Sequence, residues 1–134
     1  RVFEAGFAPV MVGLDATHSV RTPESEWEWL ASAGRFGAVM GQMMAYYTDF
    51  YASVHGERMS HQHDAIAMVE AISPGFVEQQ NAHIDVETTG ELTVGMTVVD
   101  VRGTANATVA WRADAATFHA TLRAALERLS AQVT

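Results

Sequence analysis

The residues best equipped for chemistry stand together in His61-Gln62-His63-Asp64, immediately ahead of the apolar run Ala65-Ile66-Ala67-Met68-Val69. An imidazole exchanges protons near neutral pH, and a carboxylate oxygen suits a hard cation such as calcium or magnesium. The pair therefore offers acid catalysis and metal ligation side by side. The competing reading is structural: Asp64 as the N-cap of a short helix, with His63 solvated.

Other candidates carry less. His61 and His63 match part of the His-x-His-x-Asp-His pattern of some zinc hydrolases, but the positions that need Asp and His hold Ala65 and Ile66, which sets a dinuclear zinc site aside. Asp15, Thr17 and His18 follow a buried strand and sit where open α/β sheets place ligands, although a turn stabilised by the Asp15 and Thr17 side chains explains them nearly as well. His83, Asp85 and Glu87 share one strand face and could hold a cation, yet a solvated outer face produces the same alternation. There is no glycine-rich phosphate loop, serine elbow or other nucleophile motif. Glu24, Glu26 and Glu28 are spread along one exposed helix and make no catalytic acid pair.

The elements that must position these groups are readable from pattern. Pro9 to Gly13 reads as a fully buried strand and Gly13 to His18 as the loop after it. Thr22 is expected to cap a helix that has Pro23 in its first position, Glu24 and Glu26 in its first turn, and Gly34 as its stop. From Arg35 to His55 apolar residues recur at one helical face, a stripe of Phe36, Met40, Met43, Met44, Tyr47, Phe50 and Tyr51 best read as core. A Gly56 to Gln62 loop leads to a short helix from Asp64 to Ile72, closed by Ser73-Pro74-Gly75. The second half alternates: strands around Ile84 and Val86, Met96 to Val101, and Thr108 to Trp111 precede a final amphipathic helix capped by Asp114.

Composition narrows the function. A formal charge of −8, from eight Arg, no Lys and sixteen Asp plus Glu, repels phosphate backbones and anionic membranes, which argues against nucleic-acid and membrane partners. An apolar fraction of 49% over 134 residues predicts a single folded domain spanning 1–134. With no cysteine, thiolate zinc sites, cysteine nucleophiles and disulfides are excluded, and a cytoplasmic setting is the expectation.

Taken in order, Val2-Phe3-Glu4-Ala5-Gly6, then Val10-Met11-Val12-Gly13-Leu14-Asp15-Ala16-Thr17-His18, His63-Asp64, Val86-Glu87-Thr88-Thr89-Gly90-Glu91-Leu92-Thr93 and Gly95-Met96-Thr97-Val98-Val99-Asp100 closely resemble the inosine-uridine preferring nucleoside hydrolases. The resemblance implies an α/β fold, with helices predominating, one buried strand near the start and a small strand group in the second half. It implies hydrolysis of the N-glycosidic bond of a ribonucleoside to ribose and free base, in purine and pyrimidine salvage, by a homo-oligomer that holds calcium. His63 then corresponds to the general acid that protonates the leaving base, and Asp64 to a calcium ligand. Ala65 stands where the family pattern has Pro, which a helix start tolerates.

The family's amino-terminal D-x-D-x-x-x-D-D cluster has no counterpart here, nor do the Asn and Glu that grip ribose, so no substrate-binding residue is identified. Tyr51 lies on the helix leading into the His61 loop, within reach of a base, with a core role as the competing reading. The resemblance thus implies a carboxyl-terminal portion that by itself binds little or no calcium and is inactive, because one carboxylate cannot replace the roughly six to eight oxygens that calcium takes. The alternative expectation is a non-catalytic, truncated homologue that works as an interaction or assembly module.

Overall fold

Short β-branched segments far apart in the chain build one mixed sheet, and the helices cover it. In the computed structural model, which describes residues 1–133, the order is β1 (Val10–Val12), α1 (Leu14–His18), β2 (Thr22–Pro23), a 3-10 helix (Glu24–Ser32), α2 (Gly34–His55), β3 (Met59–Ser60), α3 (His63–Ile72), β4 (Val77–Val86), β5 (Thr97–Asp100), β6 (Ala107–Ala113) and α4 (Ala115–Ser130). The sheet order is β1-β6-β4-β5; β1 runs parallel to β6, with Val10 opposite Thr108 and Val12 opposite Ala110, and β4 is antiparallel to both its neighbours. The first strand and the later strand group are therefore one sheet and not two separate features. Asn106 extends the ladder just ahead of β6, its side chain accepting from Ile84 N at 2.8 Å and donating to Ile84 O at 3.0 Å.

α1, α3 and α4 bury their apolar faces on one side of this sheet. Ala16 and Val20, Ile66 and Val69, and Phe118 join Phe76, Val77, Ala110 and Ala113 in one core, and the Phe76 and Phe118 rings stack at 6.3 Å. A smaller cluster of Ala82, Ile84, Ala107 and Val109 takes in Phe3, Met11 and Val99. Asp114 caps α4 as its position predicts, accepting from Thr117 N at 2.7 Å. The Thr117 side chain, and then this backbone bond, hold its carboxyl below the usual carboxylate range.

Several expectations are corrected. β1 is not fully buried: it is an edge strand with β6 as its one neighbour, and Val10 is 52% exposed. Gly13 to His18 is not a loop, because Thr17 N bonds back to Gly13 O at 3.1 Å and closes a helical turn directly behind the strand. Thr22 caps nothing; with Pro23 it pairs with Met59 and Ser60, and its hydroxyl lies 3.1 Å from His119 Nε2. The helix that follows is 3-10, and it packs so closely on α2 that a Cβ at Gly37 would collide with the Leu30 carbonyl. Asp64 is inside the first turn of α3, whose N-cap is Gln62, so its capping role falls away.

The stripe on α2 is only half core. Met44, Thr48 and Tyr51 are buried, whereas Val39, Met43, Phe50 and Val54 are each more than half exposed. Two adjacent helical faces are apolar, and α2 has the 3-10 helix and β3 against one of them. Phe118, fully buried between sheet and helices, is the test of the main core: Phe118→Ala is expected to lower the unfolding free energy by about 3–5 kcal/mol in a urea titration. A loss under about 1 kcal/mol would mean that the core is not closed around this ring.

Candidate functional site

Three elements bring imidazole and phenol groups to one place. α1 follows β1 with no intervening loop beyond Gly13, and Ser19 at its end pins it to the sheet, donating to Ala16 O at 2.6 Å and accepting from Ala113 N at 2.9 Å. This leaves Thr17 buried and His18 exposed at the amino-terminal end of α3. There Thr17 Oγ1 and His63 Nδ1 are 2.7 Å apart. On the other side of the ring, Tyr51 OH from the last turns of α2 lies 3.4 Å from His63 Nε2.

Around this contact the network continues. Tyr47 OH donates to His61 O at 3.1 Å and lies 3.5 Å from Tyr51 OH, and the two tyrosine rings meet edge to face at 5.0 Å. His61 Nδ1 donates to Val20 O at 2.8 Å, which fixes its tautomer, since a carbonyl only accepts. The His18 ring lies 4.8 Å from His61 and 5.3 Å from His63. Burial pushes the Tyr47 phenol up to about 12, with the Tyr51 contact next and the Asp64 charge last. Burial also lowers the His63 pKa, reinforced by repulsion from His18 and then His61 and opposed by Asp64.

The sequence candidates divide accordingly. His63 and Tyr51 converge, and Tyr51 is both core and site: its ring is buried while its hydroxyl reaches the imidazole. Of the Asp15, Thr17 and His18 group, the structure brings Thr17 and His18 to His63 and leaves Asp15 exposed. His61, discounted as a ligand, lies in the cluster as a fixed donor. Tyr47 was missed as a functional candidate; its spacing of four from Tyr51 on one helix is the signal that places both at the same end. His83, Asp85 and Glu87 do not form a cation site: His83 Nε2 meets Asp85 Oδ2 at 3.2 Å, but Glu87 lies beyond β4 and accepts from Thr89 N and Gly90 N of its own turn.

Asp64 is exposed beside His63. Among the described residues no group of three or more His, Asp or Glu side chains is arranged to hold a metal ion. The donors present do not by themselves fit calcium, which takes about six to eight oxygens. No helix among the described residues is long and apolar enough to cross a membrane.

A mixed sheet with helices packed on it, and a histidine tethered at the head of one of them, define an α/β fold. This chain belongs to the inosine-uridine preferring nucleoside hydrolase family, whose model matches residues 1–120. It is 36% identical over 105 residues to the inosine-uridine preferring nucleoside hydrolase of Crithidia fasciculata, covering 75% of this chain and 32% of that protein. It is 33% identical over 138 residues to the pyrimidine-specific ribonucleoside hydrolase RihA of Shewanella woodyi, covering 96% of this chain and 43% of that one. Its fold matches the purine-preferring ribonucleoside hydrolase of Gardnerella vaginalis with a TM-score of 0.82 at 24% identity, over 97% of this chain and 42% of that chain. The chain thus spans about a third to two fifths of the relatives it matches.

The electrostatics of the cluster give a measurable sign. Folding lowers the His63 pKa from its ordinary 6.5, so as the pH falls the unfolded chain takes up this proton first. The His63 contribution to stability is therefore intact above about pH 6.5 and is lost as the pH drops through the folded value. An NMR titration is expected to put the His63 midpoint below 6.5 and to show it rising in His18→Ala. An unchanged midpoint in that variant would leave burial as the cause without His18.

Proposed function

We propose that residues 1–134 form one domain supplying the acid half of a ribonucleoside hydrolase site, with His63 as the proton donor to the leaving base. The observation that carries this reading is the His63 ring, held at Nδ1 by Thr17 with Nε2 facing the Tyr51 hydroxyl, in a chain of this family. Cleavage of an N-glycosidic bond develops positive charge on the sugar and negative charge on the base. A proton delivered from Nε2 of the charged ring to a base nitrogen neutralises the leaving group as the bond electrons move onto it, while water adds to the anomeric carbon and gives up a proton to solvent. The Tyr51 hydroxyl, 3.4 Å from Nε2, stands where it can hydrogen-bond to the departing base.

In this reading Asp64 contributes one carboxylate to a calcium ion whose other oxygens come from residues outside this chain. The 134 residues alone are then inactive, and the complete protein is a cytoplasmic homo-oligomer acting in purine and pyrimidine salvage. A second reading, a non-catalytic module for interaction or assembly, draws support from the exposed apolar stripe Val39, Met43, Phe50 and Val54 on α2.

Two measurements separate these. The isolated chain is expected to release no base from inosine or uridine and to show no stoichiometric, sub-micromolar calcium binding by calorimetry; tight binding would overturn the incomplete-site reading. When it is joined to an amino-terminal portion carrying the missing acidic cluster, hydrolysis is expected, and His63→Ala is expected to slow turnover of purine nucleosides by about 10²–10⁴-fold. Turnover that is unaffected by His63→Ala would remove the residue from this role, and no hydrolysis by any such assembly would favour the module.

A further inference from the structure

We propose that Thr17 is a positioning residue for His63: its hydroxyl anchors Nδ1 and so keeps Nε2 as the hydrogen-bearing nitrogen presented to the tyrosine side of the site. This rests on His63 as the proton donor for its functional meaning, though not for its geometry. Thr17 is 2% exposed, and a buried hydroxyl is costly unless it is hydrogen-bonded. It has two partners, His63 Nδ1 at 2.7 Å and Leu14 O at 3.5 Å. The hydroxyl hydrogen goes to the nearer acceptor, so with neutral His63 Thr17 donates to Nδ1 and the ring hydrogen resides on Nε2.

A hydroxyl also serves the charged ring. In the imidazolium, Nδ1–H donates to Oγ1, and the Thr17 hydrogen turns to the Leu14 carbonyl. When the Nε2 proton passes to an acceptor, the N–H electrons stay on Nε2, and the neutral ring left behind keeps its Nδ1 hydrogen on Thr17. A carbonyl in place of Thr17, such as the one that holds His61, would lock one tautomer and accept only. Because Ser19 fixes α1 to β6, the anchor belongs to the sheet and not to the α2–α3 connection that carries His63. A half-turn of the ring about Cβ–Cγ would bring Cδ2 to Thr17 and Cε1 to Tyr51, losing both contacts.

The test uses the 134-residue chain itself, labelled with ¹⁵N at histidine, at a pH where His63 is neutral. The expected spectrum shows a pyrrole-type Nε2 and a pyridine-type Nδ1 moved upfield by an accepted hydrogen bond. Thr17→Val, which preserves shape, is expected to shift Nδ1 downfield, and Thr17→Ser to restore it. A pyrrole-type Nδ1 in the wild-type chain, or an Nδ1 resonance equal in wild type and Thr17→Val, overturns the proposal, and the wild-type measurement decides even if a variant fails to fold. In the recombined hydrolase, Thr17→Val should lower kcat with KM unchanged and Thr17→Ser should recover it. An intact Nδ1 tether together with turnover unaffected by His63→Ala would sink the proton-donor reading alone and leave the anchor standing.

Discussion

The parallel pairing of β1 with β6 is the contact on which the site depends. It joins Val10–Val12 to Thr108–Ala110, and a right-twisted parallel pair leaves its following helix on one face of the sheet. α1 is that helix, shortened to five residues and pinned through Ser19 to Ala113. Slip the register by one residue and Thr17 leaves the line of His63, since every side chain behind the strand rotates to another direction. The apolar contacts of Ala16 and Val20 with Ile66 and Val69 then fix α3 against α1, so that packing, not the polar cluster, sets the 2.7 Å separation.

Against that frame the polar groups are unusually concentrated. Part of the charge on this acidic chain lies at its surface in exposed pairs such as Arg58 with Glu24 and Asp49, which contribute little net stability. At the head of α3, by contrast, three imidazoles lie with ring centroids between 4.8 and 6.0 Å of one another. Burial, then His18 and His61, disfavour the charged form of His63, and Asp64 is the nearby carboxylate that opposes them. Tyr47 adds a phenol that stays neutral, being pushed up to about 12 by burial.

How far the chain could be read in advance depended on what each element had to satisfy. α2, α3 and α4 follow from periodicity and caps, and Asp114 behaves as its type and place require. The ordered motifs carried the family and marked His63 and Asp64. What could not be read was long-range: the pairing of residues 10–12 with 108–110 has no local signature, so β1 looked buried on both sides and α1 looked like a turn. The same lack left Thr17 undecided between turn and site, because its partner lies 46 positions away. Half of the α2 stripe was misjudged for a related reason: periodicity says which face is apolar, but not how much of it another element covers.

The β1–β6 pairing has a consequence in time as well as in space. Contacts between segments about a hundred positions apart must overcome a large loop-closure entropy before they return any stabilisation. α2, α3 and the β4–β5 ladder join neighbours in the chain, whereas the helix that carries Thr17 and His18 is tied to a strand ending at residue 113. The imidazole cluster thus draws its support from both ends of the chain.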